Sequence, residues 1–280
     1  SWVGLRLSAL EYPGIQLKLT GVYSAPDHIE KLMREQNPET LPVKRASKNL
    51  VMKGTLGSPH YRSDVALFLT QFDLTEAKVL GNNANLNGFS VLGGLCTTQK
   101  YVFVRDFGKY EGVESAALWT SRVLGAEFDG YEQAETCPAD DGYFMGTGGI
   151  KLPYRFSECS RKMILETMKQ NSRPSKSLTC LRPTGEEIKD KDKKYMGEGV
   201  SPDEFCKSIH GRGEHCLKGQ DVLPTTCKVK CCHEVDGKSE SLGTHFAQDG
   251  MLCDSVFDTY NTGGICLNGY CHIRSKVRKE

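Results

Sequence analysis

The stretch VESAALWTSRVLGAEFDG, residues 113–130, decides the fold. Val113, Ala116, Ala117, Thr120 and Leu124 recur at the three- and four-residue spacing that lines one face of a helix. Gly125 follows them, where a residue free to adopt a left-handed backbone ends a helix. Upstream, Tyr101–Arg105 (YVFVR), Gly88–Leu95 and the apolar run Asp64–Leu69 (DVALFL) have the composition of buried strands, and Ile15–Val22 (IQLKLTGV) alternates like a sheet strand. A helix is predicted around Pro26–Glu35. This order predicts an α/β fold on a four-stranded sheet. Downstream, Glu127, Asp129, Glu132, Glu135, Asp140 and Asp141 crowd a loop-rich segment that reads as a solvated face. The Gly-rich GYFMGTGG and a last helix from about Ser160 to Gln170 come after it.

The chain has 280 residues, 38% apolar and 25% charged, enough for one or two domains. Its 36 basic and 35 acidic side chains lack the positive excess on which phosphate-backbone binding depends, so nucleic acid is not an expected partner. No apolar run approaches the roughly 18 to 20 residues that span a bilayer. No charged-then-apolar leader opens the chain at Ser1, as expected of a processed form if the protein is secreted. Cysteine divides the chain. Residues 1–180 hold Cys96, Cys137, Cys159 and Cys180, whereas Cys206, Cys216, Cys227, Cys231, Cys232, Cys253, Cys266 and Cys271 crowd the end. Even counts in both parts allow complete pairing and predict an oxidising, extracellular location. Leu181–Val200 has linker composition, which predicts domains at 1–180 and 203–280 joined by a linker at 181–202.

Five stretches carry a resemblance: SDVALFLTQFDL at 63–74, VLGGLCTT at 91–98, LGAEFDG at 124–130, CPADDGYFMG at 137–146 and FSECS at 156–160. In this order and spacing, residues 1–180 resemble the reprolysin-type zinc metalloproteinases, the group of ADAM, snake-venom and tick salivary enzymes. FCKSIHGRGEHC at 205–216 and DGMLCDSVFDTYNTGGICLNGYC at 249–271 resemble the disintegrin-like module of ADAMTS proteins. The resemblance implies a metzincin-like mixed sheet with helices, from which the family's first strand and first long helix are missing. A small, disulfide-rich and loop-rich C-terminal domain follows.

Reprolysin chemistry needs HExxHxxGxxHD: two histidines one helical turn apart, a third beyond the glycine, and a glutamate base. Aligning LGAEFDG with its second half matches Gly125 and Asp129 and places Leu118, Trp119, Arg122 and Phe128 at the four chemical positions. Leucine and phenylalanine have no lone pair, arginine is a permanent cation, and tryptophan accepts no proton. Residues 1–180 contain only His28 and His60, fewer than the three ligands a catalytic zinc takes. The expected cofactor set is therefore empty, with no catalytic zinc. Leu118 and Phe128 are expected to fill the vacated cavity together, with Arg122 placing a charge where zinc would sit. Trp119 and Arg122 have a second reading as interface anchors. The resemblance implies that Gly125, Asp129 and Met145 are retained scaffold, Asp129 bracing the turn and Met145 flooring the pocket.

The resemblance also implies disulfides joining Cys96 with Cys180 and Cys137 with Cys159. Its structural calcium set is incomplete: Asp73 and the Cys180 carbonyl match, but Pro183 replaces an asparagine and an acidic ligand is absent. The eight tail cysteines allow 105 pairings and are left open. Cys206, His210, His215, Cys216, Cys231, Cys232 and His233 have zinc-ligand chemistry, but an oxidising context favours disulfides. There is no Arg-Gly-Asp tripeptide and no Asn-x-Ser/Thr sequon.

These features together predict a secreted pseudoprotease that binds an extracellular protein, with targets in host haemostasis, matrix or immunity. The basic end Arg274–Lys279 is a candidate contact for acidic glycans. A second chain completing the first domain is a further expected partner. The competing expectations are an active zinc endopeptidase with a non-standard site and a structural subunit of an extracellular assembly.

Overall fold

The computed structural model describes residues 2–25, 40–53, 63–75, 88–108, 112–147, 154–171, 195–217, 223–254 and 263–273, with residues 27, 31, 33 and 181. The chain divides into two units, Ser1–Lys189 and Asp190–Glu280. The fold is α/β with a disulfide-rich region, as expected. The division falls inside the predicted linker, but residues 195–202 belong to the second unit's fold: Gly197 N–H donates to the Asp249 carbonyl and Val200 packs on that unit's core.

The first unit opens with α1 (Trp2–Ser8), β1 (Thr40–Pro42) and α2 (Val43–Lys53). Then come β2 (Ala66–Thr70), β3 (Asp73–Thr75), β4 (Gly88–Ser90), β5 (Tyr101–Arg105), α3 (Gly112–Val123) and α4 (Glu158–Asn171). Its main sheet has three strands in the order β2-β5-β4. β2 runs parallel to β5, with Ala66 opposite Tyr101 and Thr70 opposite Arg105, and β4 runs antiparallel to it, with Phe89 opposite Phe103. Tyr101 to Val104 are all buried, which is why the central strand reads as unbroken apolar sequence rather than alternation. A separate parallel pair, β1 with β3, was not foreseen; its three-residue strands are too short to leave a periodic signature.

The four-stranded prediction needs two corrections. Residues 11–25 form no strand: Ile15 and Leu17 are half-buried and Leu19 exposed, so the alternation marks no core face, and no ladder partner stands beside it among the described residues. The strand predicted over Gly88–Leu95 stops at Ser90, because turns occupy 91–99 around Gly93, at φ 67°, and Gly94. Most of Pro26–Glu35 lies outside the described residues, although 27, 31 and 33 are helical.

Helix α3 is buried on nearly every side, with only Glu114 of its twelve residues outside the core, and it packs against β5, β4 and α1. Such a helix shows little amphipathic contrast, and its predicted span matches to within a residue at each end. Beyond the sheet, Met33, Leu41, Val43, Ala46, Leu50 and Leu74 close a core with Phe103, on which Phe68 stacks at 5.2 Å. Gly125 ends α3 at φ 109°, and a Cβ there would lie 2.1 Å from Oγ1 of Thr167 on α4. Glycine is required both for the backbone angle and for the close approach.

In the second unit, α5 (Pro202–His210) starts with a capping box in which the Ser201 side chain accepts from Glu204 N–H and Glu204 returns to Ser201 N–H. Gly211 ends it in the left-handed conformation. β6 (Glu214–His215), β7 (Lys228–Val235) and β8 (Lys238–Phe246) form one three-stranded sheet. β9 (Leu252–Cys253), β10 (Gly264–Leu267) and β11 (Tyr270–Ile273) form the other. The open tail pairing resolves as Cys206–Cys231, Cys216–Cys232, Cys227–Cys266 and Cys253–Cys271. A shift in register between Cys231 and Cys232 lets two successive residues both turn inward, where a regular strand would send them to opposite faces.

Candidate functional site

Leu118, Trp119, Arg122 and Phe128, the residues aligned with the reprolysin motif, come from the end of α3 and the turn after it. Leu118 and Trp119 are fully buried, Arg122 is 7% exposed and Phe128 2%. Trp119 meets the edge of Phe128 with ring centroids 5.5 Å apart and planes at 87°. The Arg122 guanidinium lies 4.6 Å over the centroid of the same ring. Phe128 therefore packs against Trp119 and Arg122, and Leu118 and Phe128 are both buried. The interface-anchor alternative for Trp119 and Arg122 is corrected, since both residues are buried.

Glu127, assigned by sequence to a solvated acidic face, is 3% exposed. The reversal at Gly125 brings it back onto α3, where Oε1 accepts from the Arg122 guanidinium and from the Phe128 backbone N–H, the latter at 2.9 Å. The expected bare positive charge is thus neutralised by an ion pair with both side chains buried. Glu127 was missed because a charge run carries no sign of which member turns inward. Its place five residues after Arg122, across a helix-ending glycine, was the available clue.

Asp129 is fully buried as well. Its N–H donates to the Met145 carbonyl at 3.0 Å, and it forms a parallel bridge with Gly146, so it joins the turn to the segment bearing the buried Met145. Ser157 Oγ donates to Asp129 Oδ1 at 2.6 Å and accepts from Ser160 N–H at 3.1 Å, capping α4 at the same time. Burial is the main force pushing the Asp129 carboxyl up to about 6, with Asp141 adding to it and the hydrogen bonds of Ser157 and Ser160 opposing it. Ser157 was a legible cap, placed just before a helix, but nothing local tied it to Asp129. Cys137 is bonded to Cys159, which holds the 137–146 turn against the start of α4. Cys96 is disulfide-bonded, and Cys180 lies outside the described residues. So do Pro183, His28, His60 and Arg274–Lys279. Asp73 pairs with Arg105 at 2.6 Å.

A catalytic zinc does not fit this cluster. Leu118 and Phe128 offer it no lone pair, Trp119 is a donor only, and Arg122 is a cation already matched by Glu127. Among the described residues, the groupings of side chains close enough to share a metal lie in the second unit: His210 with Cys231 and His245, and Cys227 with Cys253 and Cys266. Every cysteine in them is in a disulfide.

The chain is similar to the venom metalloproteinase BumaMPs1 of Olivierus martensii, at 32% identity over 107 residues. The relationship is to a metalloproteinase. The match covers 37% of this chain and 27% of the length of that protein. No family model matches the chain. No helix among the described residues is long and apolar enough to cross a membrane, and the dense disulfide content is compatible with an extracellular location.

Proposed function

We propose that the chain is a catalytically inactive metalloproteinase homologue of reprolysin type, carrying an ADAMTS-like disintegrin-like module, and that it is secreted and acts by binding another extracellular protein. The buried Arg122–Glu127 pair carries this proposal: it occupies the place where the family's active helix would present metal ligands, with Trp119 and Phe128 packed around it. A cluster so filled and neutralised serves the fold, and function moves to the surface. The venom origin in the relative's name supports a target in host haemostasis, matrix or immunity. No catalytic zinc takes part, and nucleic acid is not a partner.

The proteinase in that same name favours a second function, a working endopeptidase with a non-standard metal site. Incubation of the purified chain with an unfolded protein substrate, with and without a chelator, separates the two. No cleavage is expected, and chelator-sensitive cleavage would overturn the pseudoprotease assignment. Capture from host plasma should recover a saturable protein partner, and a second polypeptide copurifying at fixed stoichiometry would instead identify a structural subunit.

A further inference from the structure

His210 ends α5 and His245 lies on β8 opposite Val229 of β7. Their Nε2 atoms stand 2.9 Å apart, with ring centroids 4.9 Å apart and planes at 60°. In such a contact one imidazole donates its N–H to the in-plane lone pair of the other, and an ion that displaces this proton has both Nε2 lone pairs available to it. We propose that His210 and His245 form a binding site for a divalent transition-metal ion of the zinc(II) class, in the second unit and separate from the buried cluster around Arg122.

The geometry is close to that of a chelate. Two nitrogens bound to tetrahedral zinc at about 2.0 to 2.1 Å stand roughly 3.3 Å apart, so the rings need to part by only about 0.4 Å. His210 has room for this, since it is the last residue of its helix and Gly211, at φ 66°, follows it. His245 is held by the β7–β8 ladder, and Gly243 keeps space beside it, where a Cβ would approach its Nε2 to 3.1 Å. Both rings are half-buried, so water can complete the coordination sphere. Burial, then the charge of His210, lowers the pKa of His245, which favours the neutral, ligating imidazole. The sulfur of Cys231 lies within 4.8 Å of both rings, but its bond to Cys206 removes it as a thiolate. The protein supplies two ligands, leaving positions open to water or to a carboxylate or histidine of a bound partner. Sequence had grouped His210 with His215 and His233; the sheet register instead delivers His245, 35 residues away.

The test is calorimetric titration of zinc(II) into the full-length, disulfide-intact chain after chelator treatment. One ion per chain is expected. His210→Gln and His245→Gln should each weaken binding by about tenfold or more, and His233→Gln should leave it unchanged. Histidine NMR on the unaltered chain provides a measurement independent of how the variants fold: zinc should shift the ring signals of His210 and His245 selectively. Absence of saturable binding, equal binding by all variants, or ring shifts located elsewhere would each overturn the site.

Discussion

Ser157 gives its hydroxyl proton to one oxygen of the Asp129 carboxylate, while the other oxygen, also buried, meets no hydrogen-bond donor among the described residues. With its carboxyl pushed from 3.8 to about 6, folded Asp129 holds a proton between roughly pH 4 and 6 that the unfolded chain has released. Stability from this group is therefore gained as pH falls through that window and lost as pH rises through it. Asp129→Asn should remove the dependence, an effect of about 2 kcal/mol between pH 4.5 and 7.5. Denaturation followed by tryptophan fluorescence reports on the first unit, since Trp2 and Trp119 both lie there. A wild-type-minus-variant difference that is flat with pH would refute the assignment.

The Arg122–Glu127 pair predicts a non-additive mutant cycle. Arg122→Met or Glu127→Leu alone strands one buried charge and should cost about 3 to 5 kcal/mol. The double variant should lose clearly less than the sum of the two, because it leaves no uncompensated ion. Additive losses would mean that the two groups do not interact.

Gly125→Ala should destabilise the first unit by about 2 kcal/mol or more, from backbone strain and from collision with Thr167. Thr167→Ala in the same chain should recover the collision part only. Wild-type thermal stability in Gly125→Ala would contradict the close approach of α4 to this turn.

Mass spectrometry of non-reduced proteolytic fragments should recover Cys206–Cys231, Cys216–Cys232, Cys227–Cys266 and Cys253–Cys271, with the adjacent Cys231 and Cys232 bonded to different partners. In the first unit, replacing Cys137 and Cys159 together by serine should cost about 3 kcal/mol, the expected value for a loop of this length.

What the sequence conveyed depended on how far each signal reached along the chain. Helix α3, its glycine stop and strand β5 are local patterns, and they were legible. The segment 15–22 shows the limit of such patterns: alternation describes a side-chain rhythm, but a strand exists only where a second strand supplies hydrogen bonds. Leu118, Trp119, Arg122 and Phe128 could be recognised as unfit for a metal from chemistry alone. That Glu127 would neutralise Arg122, and that Ser157 would reach Asp129 across 28 residues, required the fold, because the acidic run gives equal weight to buried and solvated members. The same holds for the histidine pair, which depends on the register of a bulged hairpin.

The β7–β8 ribbon turns at Asp236 and Gly237, whose positive φ angles of 49° and 73° suit a tight two-residue reversal, and the residues at its tip are exposed. A peptidase that nicked the chain there would not separate the pieces, because Cys227 before the cut remains tied to Cys266 beyond it. The clipped molecule would migrate intact until a reductant was added, differing before then only by the mass of one added water.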